Sequence, residues 1–380
     1  MKLDMSFCSG PFWSDSSSIL SEATEVLVRE TAHMRMDHPI VTARAPELAV
    51  ALSELCNSGT FSRPTWTPSL GQVGEDVIKT PSDRALWAAA ALVFDFVEHV
   101  TSFAVDLHFD TAVTLVADPV VLPTSTHIRA CWDGKTLTLG IPSPVVEVRG
   151  GSPRKASILA PWSQQTLSTL VSAGDFLILN HAGHHVFEEL GRALPESDFT
   201  AMCEQFRVAG SLLRTFAPEY LTWVRPMVRW IVPLATPADG YASGGGPHVP
   251  GVIAASGCCP PITLAESIVH EAAHQYLFLV TRFGHLAAVD GRLYYSPLAK
   301  RQRPLARVVF AFHAAANIAI LYQLIAKRDA ASAPTPEAIE RNIADCRELA
   351  GHVTSNSALT GLGRVIVEPI LNLLYARGIL

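Results

Sequence analysis

Charged side chains are scarce in this chain. Asp, Glu, Lys and Arg make up 17% of its 380 residues, against 49% hydrophobic. That leaves enough apolar surface for a large core, in one domain or two. Positive charge is not in excess either: 29 Lys and Arg stand against 35 Asp and Glu, a net −6. Such a balance excludes a nucleic-acid partner held through its phosphates. The one short basic stretch, Arg149 to Lys155, reads as a solvated loop. The seven cysteines are scattered and odd in number, with no CxxC pair, so no cysteine zinc framework is expected. Free thiols in a reducing cytoplasm are the simple reading. The first residues, MKLDMSFCSG, hold no apolar signal-peptide core. Only Val308 to Ala326 approaches the length of a membrane span. It carries His313, Asn317 and Gln323, so a buried helix and no membrane partner are expected. There is no internal repeat.

What is present is concentrated in Leu264 to Val280, LAESIVHEAAHQYLFLV. His270-Glu271-Ala272-Ala273-His274 is an HExxH sequence within an apolar helical run. Histidines four apart lie one turn apart on one helix face, so both imidazoles can reach one ion. Glu271 points toward the same cleft and can act as a base on a metal-bound water. Thr263, after Pro260-Pro261, is the expected N-cap, and Glu266, one turn before His270, the expected orienting carboxylate. The alternative is a core helix with two satisfied histidines, at a heavy desolvation cost.

The pattern along the chain predicts an α+β fold, predominantly helical. A small antiparallel β region is expected around residues 103–150, and the HExxH helix near 264–280. Helices are expected at Ser16 to Met34, at Pro46 to Cys56, and from Pro81-Ser82-Asp83 through Val100. Short strands follow at Val113 to Val116, Val120 to Leu122 and Ile128 to Trp132. Asp133-Gly134 before Lys135 to Leu139 marks a hairpin. Helices return from Ser163 onward, with one at Asp198 to Phe216; Tyr220 to Leu234 fits either strand or helix. Val252 to Ala255 is a strand after a glycine-rich loop. Thr335 caps a last charged helix running to Leu349. Two parts are expected: residues 1–160, helical plus β-hairpin, and residues 161–380, carrying the metal site.

Two histidines leave a metal site incomplete, and a third protein ligand is expected. Six residues after His274 stands Val280, which excludes the metzincin pattern. His285, Asp290 and His313 remain. His313, in the later apolar helix, is the first choice, against the alternative of a core histidine bonded to a backbone carbonyl. His181, His184 and His185 form a second cluster, read as an exposed polar turn, and His248 lies in the glycine-rich loop. After the motif, Lys300-Arg301-Gln302-Arg303-Pro304 supplies guanidinium groups that can clamp a carboxylate in bidentate fashion, Arg303 first and Arg301 second.

Several segments together resemble the HEXXH-motif domain of peptide-modification systems. They are Ala242-Ser-Gly244, Pro250 to Ile253, Ala265-Glu266, His270 to His274, Tyr295-Ser-Pro297, Arg303-Pro-Leu305 and Leu359 to Gly363. The resemblance covers about residues 225 to 380. It departs from the usual pattern where Leu298-Ala299, in place of Trp-Arg, follows Tyr-Ser-Pro. Members of that family are iron(II)- and 2-oxoglutarate-dependent β-hydroxylases of ribosomally made peptides. The resemblance therefore implies Fe(II) on His270 and His274, an arginine for 2-oxoglutarate and a cytoplasmic precursor peptide as substrate. The residue chemistry alone fits a zinc metallopeptidase equally well, with Glu271 as general base. Nothing in the sequence bears on oligomeric state.

Overall fold

The computed structural model describes residues 5–13, 16–58, 61, 66–71, 82–117, 120–121, 125–140, 145–149, 156–159, 169–180, 194–235, 240–257, 259–354 and 356–380. The cluster His181, His184 and His185 lies outside the described residues, as do Pro81, Leu122, Cys258 and residues 150–155 of the basic stretch. The fold is α+β and mostly helical.

The chain opens with a 3-10 turn, Met5–Ser9, followed by α1 (Ser16–Met36), α2 (Pro39–Arg44), α3 (Pro46–Asn57) and α4 (Ser82–Asp95). Pro39 and Pro46 stand in the first turns of α2 and α3, where a missing N–H costs nothing. Leu20, Ala23, Leu27, Val28 and Ala32 of α1 are buried at three- and four-residue spacing, which gives the helix one apolar stripe. The helix expected to reach Val100 stops at Asp95, and Val97–His99 is a separate 3-10 turn.

An antiparallel sheet comes next: β1 (Phe103–Ala117), β2 (Val120–Val121), β3 (Ser125–Trp132), β4 (Thr136–Gly140), β5 (Val145–Arg149) and β6 (Ala156–Leu159). Its order is β2-β1-β3-β4-β5, with β6 also on β1. The hairpin at Asp133-Gly134 is present. Asp133 Oδ1 accepts from the Lys135 and Thr136 amides at 2.8 and 2.7 Å, and Gly134 takes φ +90°, a conformation that favours glycine. Leu107, Ile128, Ala130, Leu137 and Leu139 are buried on alternate positions, and the sheet packs on α3 and α4.

From here the structure differs from the expected return to helix. β7 (Thr169–Ala173) and β8 (Phe176–Asn180) form a hairpin. After α5 (Glu196–Phe216), the ambiguous segment splits into α6 (Pro218–Val224) and β9 (Trp230–Leu234). With β10 (Ser243–Gly245) and β11 (Val252–Ser256) these strands make a second sheet, ordered β10-β11-β9-β8-β7. β9 runs parallel to both β8 and β11. Every residue of β9 and β11 is buried, the pattern of central strands covered on both faces.

The last part comprises α7 (Pro261–Thr281), a two-stranded sheet of β12 (Leu293–Ser296) and β13 (Arg301–Pro304), α8 (Leu305–Arg328), α9 (Pro336–Val353) and α10 (Gly361–Ala376). Thr335 caps α9 as expected, its side chain accepting from the Ala338 amide. Pro260, not Thr263, is the N-cap of α7, with Pro261 in its first turn. α8 is long and apolar enough to cross a membrane, but 89% of its apolar window is buried within the fold. Its neighbours are α7, α9 and α10.

The N-terminal segment threads between these helices. Phe7 meets Tyr276 edge-on at 6.0 Å, and its carbonyl accepts from Trp223 Nε1. Ser9 Oγ donates to the Ile366 carbonyl at 2.9 Å, and Asn317 Nδ2 donates to the Ser9 carbonyl at 3.1 Å. One apolar core thus includes Phe7 and Leu27 together with Tyr276 and Leu321, residues from both sides of position 160.

Candidate metal centre

α7 is buried on most of its circumference. Its half-buried positions are Pro261, Ile262, Thr263, Glu266, Ser267, His270 and His274, a stripe repeating at three and four residues, and Thr281 at its end. Both histidines of the motif therefore stand on the one open face of a core helix. Their ring centroids are 4.6 Å apart, with planes at 79°. Phe310 of α8 packs on His274 at 5.7 Å and Phe278 at 6.4 Å, so an apolar wall closes one end.

Burial holds both imidazoles neutral. His270 is pushed down to about 4. His274 lies well below the usual histidine range, through burial first and then the positive charges of His270, His313, Arg307 and Arg303. A neutral imidazole offers a lone pair, the form a metal binds. Nδ1 of His274 is buried with no hydrogen-bond partner, which costs free energy unless something satisfies it.

Glu271 is 3% exposed. Burial pushes its carboxyl up to about 7, opposed by a hydrogen bond from Ser243 Oγ at 2.7 Å. β10 lies directly over this turn of α7: a Cβ at Gly245 would stand 3.4 Å from Glu271 Oε2 and 3.0 Å from Gln275 Nε2. Gln275 ties the arrangement down. Its Oε1 accepts from Trp66 Nε1 at 2.7 Å and from the Gly251 amide at 3.1 Å, while Nε2 donates to the Val252 carbonyl.

The other expected residues fall in different places. Glu266 accepts a hydrogen bond from Tyr322 of α8, so an aromatic hydroxyl, not an imidazole, is its partner. Arg303 is half-buried on β13 and Arg301 is exposed at the other end of that strand. Arg303 and Arg307 are near enough to depress His274. His285, Asp290 and His248 are exposed, and Asp290 is paired with Arg292. His313 is fully buried, and its Nε2 donates to the Cys8 carbonyl at 2.8 Å. That is the core-histidine arrangement weighed against a ligand role. Its Nδ1, like that of His274, has no partner. Among the described residues no three His, Cys, Asp or Glu side chains gather closely enough to hold one ion, so His313 is set back from the pair.

Ser243, Gln275, Tyr322 and Arg307 were not singled out individually from the sequence. Arg307 had a signal: it follows Arg303 by four residues across the start of α8. Gln275 directly follows the motif. Ser243 and Tyr322 carry no local mark of their partners.

The buried histidines also set an acid sensitivity of the metal-free protein. His313 is pushed down to about 4, by burial above all. An unfolded chain takes up that proton near pH 6.5, whereas the folded one resists it. Stability is therefore complete above pH 6.5 and lost as pH falls toward 4. For His313 the loss between pH 7 and 5 is about 2 kcal/mol. His270 and His274 act in the same direction. Glu271, shifted up, acts in the opposite one and offsets one of the three. Urea unfolding at the two pH values should show the net loss, and His313→Gln should reduce it by about 2 kcal/mol. An unchanged pH dependence in the variant would refute the assignment.

No protein-family model matches this chain, and no curated protein matches it.

Proposed function

We propose that the chain catalyses Fe(II)- and 2-oxoglutarate-dependent β-hydroxylation of a residue in a ribosomally synthesised peptide. One observation carries this reading: a neutral histidine pair on the open face of α7, with a buried and unsatisfied Nδ1, close to an arginine that has no carboxylate partner among the described residues. The donor set suits a divalent ion, and imidazole ligands are common to iron and zinc. His270 and His274 would hold the metal; His313 is set back from the pair, so its Nδ1 would become the third ligand only with a shift of α8 toward α7. When bound, iron(II) would let dioxygen, the oxidant, react with 2-oxoglutarate and an unactivated C–H bond, one oxygen atom entering the peptide and the other succinate as CO2 leaves.

The chain's own residues do the rest. Arg303, the first choice ahead of Arg301, takes the far carboxylate of 2-oxoglutarate, and its positive charge is offset when that anion arrives. Phe310 and Phe278 keep water from the His274 side. Ser243 holds Glu271 against β10. Glu271, with a carboxyl near neutrality, retains a proton or gives it up at little cost.

That carboxyl favours a second reading. A buried Glu with a pKa of about 7 beside two imidazoles is a fitting general base for a zinc peptidase. Glu271→Gln separates the two. Gln keeps the bond to Ser243 but cannot take a proton. A peptidase should lose roughly a thousandfold in turnover, whereas the hydroxylase should stay within about tenfold, because its Glu only positions neighbours. The direct test is anaerobic loading with Fe(II) or Zn(II), then admission of air and assay for succinate from 2-oxoglutarate and for peptide mass gain. Zinc-dependent cleavage without succinate would overturn the hydroxylase.

A further inference from the structure

Among the described residues, the two-stranded sheet β12–β13 beside the candidate metal centre pairs with no other strand. Its register pairs Leu293 with Pro304, Tyr294 with Arg303, Tyr295 with Gln302 and Ser296 with Arg301. Residues opposite one another in an antiparallel pair share a face, and the faces alternate along each strand. Tyr294, Ser296, Arg301 and Arg303 thus form one face. There Ser296 is buried, Tyr294 packs on His352 at 5.6 Å, and Arg303 lies near His274. Leu293, Tyr295, Gln302 and Pro304 form the other. Leu293 is 58% exposed and Tyr295 39%, with Leu298 in the turn 42% exposed.

The first face is strongly cationic. Burial and the charges of Arg301 and Arg307 lower the Arg303 guanidinium. None of these three arginines has a carboxylate partner among the described residues. Elsewhere Arg292 pairs with Asp290, Arg328 with Glu219 and Arg229 with Asp95. Two like charges acting on Arg303 without a counter-ion are unfavourable until an anion joins them. A lone two-stranded sheet is itself marginal, and its outer strands have unpaired backbone groups that accept another chain.

We propose that β13 is a docking strand for an extended peptide whose acidic and apolar residues alternate. This rests on the peptide-substrate reading and specifies how that substrate is gripped. The peptide adds as a third strand along the free edge of β13. Its acidic residues fall on the face of Arg301 and Arg303 and, at the metal end, reach Arg307. Its apolar residues, one position out of step, lie beside Gln302 and Pro304, on the same face as the exposed Leu293 and Tyr295 and extending that apolar surface. A period of two in the peptide is required because the two faces of the hairpin differ in chemistry. Arg303, innermost, stays with the cosubstrate; Arg301 and Arg307 take the peptide carboxylates.

The test is fluorescence anisotropy on the full chain, without metal, using a labelled ten-residue peptide of alternating Glu and Val. Two controls share its length: the same composition as a block of Glu then a block of Val, and the alternating peptide with Gln for Glu. The alternating acidic peptide should bind at least about tenfold tighter than either control. Combining Arg301→Gln with Arg307→Gln should remove that advantage while circular dichroism stays unchanged. Equal binding of block and alternating peptides, or an advantage that survives the double variant, overturns the proposal. The readout is independent of turnover: binding without succinate formation removes the hydroxylase and leaves the docking strand, while succinate formation without the sequence preference does the reverse.

Discussion

Replacing His274 with leucine is expected to abolish metal retention while raising the stability of the metal-free protein. The two effects come from one atom. His274 Nδ1 is buried without a partner, and such an atom costs roughly 1–3 kcal/mol. Leucine removes it and keeps apolar contact with Phe278 and Phe310, which already pack on the ring. The metal-free variant should gain about 1 kcal/mol in urea unfolding. The same change removes one of two imidazoles on the open face of α7. After anaerobic loading and desalting, the wild type should retain about one Fe(II) per chain and the variant less than about a tenth. Succinate formation should fall by roughly a thousandfold or more. A variant that still retained iron would show that the HExxH pair is not the metal centre.

Asp95→Ala should have the largest effect on stability. Asp95 is fully buried at the end of α4, and its carboxylate takes Arg229 Nη1 at 2.8 Å and Thr67 Oγ1 at 2.6 Å. Arg229 also donates to Thr67 and lies over the Trp230 ring at 4.5 Å. Alanine strands the guanidinium in the interior, at a cost of about 3–5 kcal/mol. Replacing both partners, Asp95→Leu with Arg229→Met, should recover most of that loss, because no uncompensated charge is left. Urea midpoints of the single and double variants decide it: a single-variant loss under about 1 kcal/mol would refute the argument. The effect extends to the candidate site. The Arg229 and Trp230 amides both donate to the Gly251 carbonyl, and Gly251 leads into β11, which pairs with the β10 strand lying over Glu271.

The sequence made some of this legible. α7, α8 and α9 were readable because each has a long apolar pattern or a local cap, and those signals lie within the element itself. Asp133-Gly134 marked its hairpin for the same reason. β7 and β8 were not readable. Leu170, Val171 and Phe176 to Leu179 are short apolar runs that pair with one another in a hairpin, and only β8 joins the rest of the sheet, through β9 more than 50 residues later in the chain. The start of α7 was misplaced by three residues because Pro261 can open a helix without a side-chain cap. At the site, the HExxH spacing itself announced two rings on one face. His313 was different. Its apolar neighbours showed that it needed a partner, but the partner is a backbone carbonyl, Cys8, which carries no side-chain signature. Ser243 reaches Glu271 across 28 residues, a distance at which no periodicity speaks.

The threading of Met5 to Trp13 beneath α8 and α10 has a consequence for biosynthesis. The bonds that fasten it join Cys8 to a residue 305 positions away and Ser9 to one 357 away. A ribosome adding about 5–20 residues per second needs roughly 20–70 s to deliver those distant helices. Through that interval the apolar residues Phe7 and Cys8 wait for a binding place that has not yet been made. Its docking is therefore a late step, possible only once α8 and α10 have been made.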